Sequence, residues 1–248
     1  MTYAARMSPD RRRAWAGAFA PVVLALALDP VAGFLAPGRA GPVARMVDLI
    51  DAERALGIFV EPSVHAWVAA RPLLLHSLEV TYVGVHVPLM LAVLVWAWLA
   101  RPAAFPLARN TFVATQTLCA IAYITAPTAP PRMVAGLGYS AAPGPGDHGL
   151  GRLVQSPYAA MPSAHIAFAL VVAGIVFTLA QAPAARALAL LYPAAVLVEI
   201  VATGNHILLD AAGGTAAAAA GFGLAVLVAR SSGAKRLHPL APDAELAQ

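Results

Sequence analysis

A histidine and an aspartate stand four residues apart in the segment TGNHILLD, as His206 and Asp210. On an α-helix this spacing puts the two side chains on one face. A carboxylate beside an imidazole selects one ring tautomer and makes the free nitrogen more basic. The pair therefore indicates either a nucleophile or base with its orienting acid, or a buried hydrogen bond that serves only the structure.

The segment MPSAH, residues 161–165, holds a second histidine at the start of a long apolar stretch. Pro162 suits the first turn of a helix, where its missing N–H costs nothing. We expect the amides of Ser163, Ala164 and His165 to be free there, at the positive end of the helix dipole, which suits a phosphate. The Ser163 hydroxyl adds a donor, and His165 can protonate a leaving oxygen. The alternative is a capped helix start with a hydrogen-bonded histidine.

Arg132, in the segment TAPTAPPRM, adds a forked cationic donor that matches phosphate oxygens. Taken alone, it is better explained as an interfacial anchor. Together the three segments supply an anion cradle, a nucleophile with its acid, and a second histidine, which predicts phosphoryl transfer through a phosphohistidine. The chain has no HExxH motif and no cysteine pair, so we predict that no metal and no cofactor is used.

Membrane helices are the elements that must position these residues. Of the 248 residues, 60% are hydrophobic and 11% are charged, and the mean hydropathy is +0.74. Since a span needs about 20 apolar residues, we predict an all-α, polytopic membrane protein whose six-helix bundle forms one domain over 14–229. The predicted helices are about 14–36, 78–99, 109–126, 162–181, 185–203 and 206–229. The single cysteine, Cys119, is predicted to be a small core residue.

Basic residues are divided unequally between the two sides of this bundle. Ten Lys and Arg lie on the side of the chain ends and six on the other. The positive-inside bias puts both termini, 1–13 and a disordered tail 230–248, in the cytoplasm, with the three segments on the extracytoplasmic face of the plasma membrane. A secretory signal in the first apolar segment is the alternative, although no clean cleavage site follows it. Because the basic residues flank spans, the net charge of +4 does not indicate a nucleic-acid partner.

Two outer segments lie between the predicted spans. Residues 43–72 mix apolar and charged positions, which indicates either an interfacial helix on the outer surface or an ordinary polar connection. The outer loop 127–161 is rich in Gly and Pro and long enough to predict a lid or an entry rim. Small residues crowd the last helix and predict close helix packing, at Gly213, Gly214, Ala217, Gly221 and Gly223.

The motifs resemble a known superfamily. PSAH at 162–165 is similar to the PSGH motif of the type 2 phosphatidic acid phosphatases, and His206 with Asp210 resembles the end of that superfamily's last motif. The segments APPRM, YAAMPSAH and TGNHILLDAAGG look like the bacterial relatives of fungal inositolphosphorylceramide synthase. Weaker similarity, in ERALGIFVEP and TYVGVHVP, extends the resemblance over about 51–214. It implies the six-helix, haloperoxidase-like fold with its site at the membrane surface.

The resemblance also implies roles for the residues. His206 would attack phosphorus, Asp210 would orient it, and His165 would protonate the leaving group. Arg132, Ser163 and the Ala164 amide would bind phosphate.

Two positions depart from the superfamily's phosphatases. A lysine seven residues before the arginine and an arginine six residues before the nucleophile are replaced by Thr125 and Ile200. The phosphate then has fewer cationic partners, which favours the synthase-like branch.

A substrate pocket is predicted beside this set. Glu79, Tyr82 and His86 have the spacing of one helix face, where they would line an acceptor or headgroup pocket or else anchor the helix at the interface. Glu199 and Asn205 are further candidates.

Three functions are compatible with the sequence. The first is a metal-independent lipid phosphatase or phosphotransferase acting on a lipid phosphate, with water or a hydroxyl compound as acceptor. The second is a small transporter or lipid translocator, which would place ionisable residues at mid-membrane on several helices. The third is a catalytically silent scaffold of the same fold. The grouping of His165, His206 and Asp210 on one face favours the first.

Overall fold

The computed structural model describes residues 9–36, 38–139 and 156–231. Within these ranges the chain forms nine α-helices and one short 3₁₀ helix and no β-strand, which confirms the all-α prediction. The helices are α1 (Pro9–Phe34), α2 (Ala40–Leu56), α3 (Glu61–Ala69), α4 (Pro72–Gly84), α5 (His86–Ala100), α6 (Phe105–Thr125), α7 (Ala164–Leu179), α8 (Pro183–Ala202) and α9 (Leu208–Ser231). The 3₁₀ helix covers Pro131–Met133.

Within the described residues, three helices are long and apolar enough to cross a membrane. They are Arg12–Phe34 within α1, α8 and α9, and a fourth span results if α4 and α5 are counted as one broken helix. These helices support an integral membrane protein, but the predicted count of six spans is not confirmed. One reason is that α7 has 16 residues, which is short of the roughly 20 that a span needs.

The second predicted helix, 78–99, is divided in the structure. It becomes α4 and α5, which meet at Val85 with a bend of 46°. Because the bend falls between Tyr82 and His86, these two residues do not share the face of a continuous helix as their spacing predicted. The predicted interfacial segment 43–72 contains α2 and α3.

Close packing of α9 against α6 and α7 brings the carboxyl half of the chain together. At Gly221 of α9, a Cβ atom would overlap the hydroxyl of Thr115 and lie 2.8 Å from its backbone nitrogen. At Gly214, a Cβ would overlap the carbonyl oxygen of Ser163. The absence of side chains at these positions lets the backbones touch, as small residues do between membrane helices.

The segment before α7 is held by backbone pairing. Thr128 forms an isolated parallel bridge with Ala159: its N–H donates to the Tyr158 carbonyl at 2.9 Å, and its carbonyl accepts from Ala160 at 3.1 Å. Further back, the Ser156 N–H donates to Oδ1 of Asp29 on α1 at 2.8 Å. The approach to MPSAH is therefore fixed from two sides before the helix begins. Part of the predicted loop 127–161 lies outside the described residues.

Candidate active site

His206 lies just before α9 rather than inside it. The predicted helix 206–229 begins at Leu208, so His206 and Asp210 are not two members of one helix face. Oδ2 of Asp210 instead reaches back to accept the Ile207 N–H at 3.0 Å, which satisfies one of the free amides at the helix start. Asp210 thus holds the turn that carries the histidine.

The ring of His206 is fixed by a backbone carbonyl. Its Nδ1 lies 2.9 Å from the Ala160 oxygen and 3.5 Å from Oδ2 of Asp210. A carbonyl oxygen can only accept, so Nδ1 carries a proton and, in the neutral ring, Nε2 keeps its lone pair. Nε2 faces the Tyr82 hydroxyl at 3.4 Å. In this tautomer Nε2 is the ring nitrogen whose lone pair is available.

His165 faces the same space from the start of α7. Its ring stacks on that of Tyr82 with centroids 4.0 Å apart, and its centroid is 5.7 Å from that of His206. Nε2 of His165 donates to the Tyr82 carbonyl at 3.2 Å. Once the ring is protonated, Nδ1–H is the remaining donor that can serve a leaving oxygen. Tyr82 therefore organises both histidines, which its predicted place in a substrate pocket did not anticipate.

The predicted cradle of free amides at 163–165 needs correction. The helix begins at Ala164 with Ser163 as its N-cap, so Pro162 lies before the first turn. The Ser163 N–H is not free, because it donates to the Asp210 carbonyl at 2.9 Å. The Ser163 hydroxyl accepts the Ile166 N–H at 3.5 Å, and the Ala164 backbone is within hydrogen-bonding reach of the Tyr123 hydroxyl. The bond from Ser163 to Asp210 joins the starts of α7 and α9, and the Tyr123 contact ties α6 to the start of α7.

Arg132 sits on the 3₁₀ helix beside the turn that precedes His206. Its Nε donates to Oδ1 of Asn205 at 3.0 Å, and its backbone N–H donates to the Gly204 carbonyl at 3.1 Å. Nδ2 of Asn205 in turn donates to the Thr203 hydroxyl at 2.9 Å. The structure therefore puts Arg132 in direct contact with Asn205, the residue that directly precedes His206 in the chain.

A second polar network lies beside His165, within the helices. His86 donates from Nε2 to Oε2 of Glu199 at 2.6 Å and accepts at Nδ1 from the Tyr192 hydroxyl at 2.7 Å. Thr81 donates to the other oxygen of Glu199. The His86 ring meets the His165 ring edge to face, with centroids 5.0 Å apart.

Of the five predicted pocket residues, Glu79 is the one that stays apart. It is half-buried on α4 and makes no hydrogen bond or ion pair within the part of the chain that the structure describes.

The two departures from the superfamily pattern add no charge to the site. Thr125 is exposed and its hydroxyl bonds back to its own helix, at the Ile121 carbonyl. Ile200 is fully buried in an apolar cluster, and its carbonyl accepts the N–H groups of Asn205 and His206, each at 3.2 Å. Ile200 therefore shapes the turn that carries His206 through its backbone.

Two acidic residues at the site were not among the predicted ones. Glu61 accepts the Leu208 N–H at 2.9 Å and Glu53 accepts the Leu209 N–H at 2.6 Å. Both side chains are fully buried. Their only sequence signal was the weak similarity in ERALGIFVEP, because the contacts join residues 147 and 156 positions apart.

Comparison with known families assigns the chain. The sequence model of the PAP2 superfamily matches residues 47–224, well over half of the chain. The chain belongs to the PAP2 superfamily. The matched range runs from α2 into α9 and includes every residue of the site described above. Comparisons with curated proteins and with solved structures gave no match. Together with the apolar helices, PAP2 membership indicates a membrane protein of phosphatase type.

Proposed function

We propose that this PAP2 protein cleaves a lipid phosphoester through a phosphohistidine on His206. The observation that carries the proposal is the opposition of two histidines across Tyr82, with the Nε2 lone pair of His206 turned into the space that His165 borders. A nucleophile in the turn before α9 and an acid at the start of α7 can act on opposite sides of one phosphorus atom.

The reaction has two steps. Nε2 of His206 attacks phosphorus, the bond from phosphorus to the leaving oxygen breaks, and protonated His165 gives its proton to that oxygen. The Ala160 carbonyl and Asp210 then face the Nδ1–H of a ring that has gained positive charge. In the second step an acceptor hydroxyl attacks phosphorus, the P–N bond breaks, and neutral His165 takes the acceptor's proton.

Binding roles follow from position. Arg132, with Asn205 at its side, supplies cationic donors for the phosphate oxygens, and Ser163 and Ala164 line the start of α7 nearby. The network of His86 and Glu199 is proposed to border the acceptor or headgroup, with Tyr82 and Glu79 on α4. Water as acceptor gives phosphatase activity, and a polyol or lipid hydroxyl gives inositolphosphotransferase-like activity. We place the site on the extracytoplasmic face of the plasma membrane, with both termini in the cytoplasm.

The test is phosphoenzyme formation in purified, detergent-solubilised protein. A panel of lipid phosphates and phosphodiesters is supplied with and without alcohol acceptors, and free phosphate, new lipids and acid-labile protein phosphate are followed. Wild type is expected to carry acid-labile phosphate, and His206→Ala none. His76→Ala is the matched control, because His76 is exposed on α4 away from the site.

Two results would contradict the proposal. Turnover that is unchanged in both His206→Ala and His165→Ala would exclude the histidine mechanism. No turnover on any lipid of the panel, with movement of a lipid across vesicle membranes instead, would favour the transporter or translocator.

A further inference from the structure

Three carboxyl groups converge on the first turn of α9. The amides of Ile207, Leu208 and Leu209 are bound in order by Asp210, Glu61 and Glu53. The acids come from three different helices, so the start of α9 is tied to both α2 and α3. This turn directly follows His206, so its position sets where the nucleophile stands.

Glu53 and Glu61 are a close pair. Each side chain is fully buried and uses only Oε1 on an amide. Their second oxygens, both Oε2, are buried and have no hydrogen-bond partner within the described residues, and the two carboxyl groups lie side by side because they bind the adjacent amides of Leu208 and Leu209. Two ionised carboxylates cannot hydrogen-bond to each other, whereas a carboxyl and a carboxylate can.

Among the described residues, no ion pair includes Glu53 or Glu61. A helix amino terminus is equivalent to about half a positive charge, and Asp210 already shares it. Arg54, the nearest arginine in the chain, is turned to Asp51 at the surface and lies over the Phe59 ring.

Two further titratable side chains belong to these surroundings, the phenol of Tyr139 and the imidazole of His65. Tyr139 comes from the segment after the 3₁₀ helix and packs on His65 of α3 at 5.0 Å. Burial, followed by the nearby Glu61 and Glu53 carboxyls, raises the pKa of Tyr139, so it stays neutral. Nδ1 of His65 donates to the Ala202 carbonyl at 2.8 Å.

One proton shared by the pair satisfies this arrangement. The pKa of Glu53 is raised to about 8, chiefly by burial and also by the nearby Glu61 and Asp210 carboxyls, against the lowering effect of the Leu209 N–H. A proton on Glu53 would have Oε2 of Glu61 as its acceptor. Both Oε1 atoms stay available to the amides of α9.

We propose that Glu53 and Glu61 form a one-proton carboxyl pair that positions the start of α9 for catalysis, and that loss of this proton switches the enzyme off. The inference rests on the proposed function, since the output is the activity of His206. When the proton leaves, two buried anions face each other and separate, which draws the Leu208 and Leu209 amides apart. Neither acid touches the reacting atoms, so both are positioning residues.

The test is the dependence of kcat on pH. With a single controlling proton, wild-type kcat is expected to fall about tenfold between about pH 7 and about pH 9. Glu53→Gln and Glu61→Gln each keep one carboxylate, one donor and both amide contacts, so each is expected to lose this fall. Asp48→Asn is the matched control, because Asp48 is exposed on α2 and should keep the wild-type profile.

The outcomes separate this inference from the proposed function. A wild-type protein that forms phosphoenzyme but has a flat profile over this range overturns the inference alone, without any variant. Gln variants that fall as steeply as wild type also overturn it. The absence of phosphoenzyme in wild type overturns the proposed function and the inference with it. Glu53→Ala, which removes the amide contact, is expected to lower kcat at every pH while KM stays near the wild-type value.

Discussion

Gly214 on α9 lies directly against the start of α7, where any side chain would push apart the two histidines that we propose to be catalytic. A Cβ atom there would overlap the Ser163 carbonyl oxygen and would lie 3.2 Å from the carbonyl carbon and 3.4 Å from the Ala167 nitrogen. All three neighbours are backbone atoms, so no side-chain rotation relieves the overlap. Gly214→Ala therefore forces the helices themselves to move.

The size of the effect follows from this overlap. Ordinary contact begins at 3.4 Å, so the two backbones must part by about 1 Å. A displacement of about 1 Å between catalytic groups costs about 10²-fold in rate. The expected loss of folding free energy is less than the full cost of overpacking. Overpacking costs about 1–3 kcal/mol, and replacing glycine by alanine in a helix offsets about 1 kcal/mol of it. The variant should remain folded while its activity falls.

The assay compares initial rates on the best lipid substrate, with thermal unfolding in detergent as the measure of folding. Gly223→Ala on the same helix is the matched control, since nothing lies within 4 Å of its added Cβ. It is expected to keep the wild-type rate. If Gly214→Ala worked within about threefold of wild type, the tight positioning of His165 and His206 inferred here would be refuted.

Three further outcomes are expected. Asp210→Asn should lower the rate of phosphoenzyme formation by about 10²-fold, because the charge facing Nδ1 of His206 is lost, and an unchanged burst rate would contradict that role. In the folded protein the pKa of Glu53 is raised from 4.5 to about 8, so the stability that its proton contributes is present at acid pH and is lost as the pH rises from about 4.5 to about 8. The Tm of wild type should therefore fall over this pH range, and the Tm of Glu53→Gln should fall less. Equal slopes in the two proteins would contradict the raised pKa of Glu53. Tyr123→Phe should lose about 1 kcal/mol, seen as a lower Tm with activity retained, since its hydroxyl donates to the Pro162 carbonyl at 2.7 Å.

Local sequence patterns predicted well those helices whose formation depends on neighbouring residues in the sequence. Long apolar runs predicted an all-helical membrane protein. The structure confirms the all-helical fold for the described residues and includes three helices long and apolar enough to cross a membrane. The break at Val85 was missed although Gly84 and Pro88 lie on either side of it, because the residues from α4 into α5 form one apolar stretch long enough for a single span. The predicted number of spans was not confirmed for a similar reason, because composition does not determine where each helix begins and ends.

The chemistry of the site divides in the same way. Spacing and residue type placed His165, His206 and Asp210 in one candidate site, and the structure brings them together. Spacing could not show that the Ser163 amide is taken by the Asp210 carbonyl, since a backbone donor looks free until the partner helix is in place.

The sequence by itself determined which residues have the right chemistry: two histidines, an aspartate and an arginine, attached to helices that prefer a membrane. Only the tertiary structure determined the tautomer and the relative positions of these side chains. The Ala160 carbonyl selects the tautomer of His206, and Tyr82 places the two rings. Glu53 and Glu61 reach α9 across about 150 residues of chain. The cost of burying a carboxyl group, and the proton sharing that we propose for Glu53 and Glu61, arise only when groups far apart in the sequence meet, so no local sequence pattern predicts them.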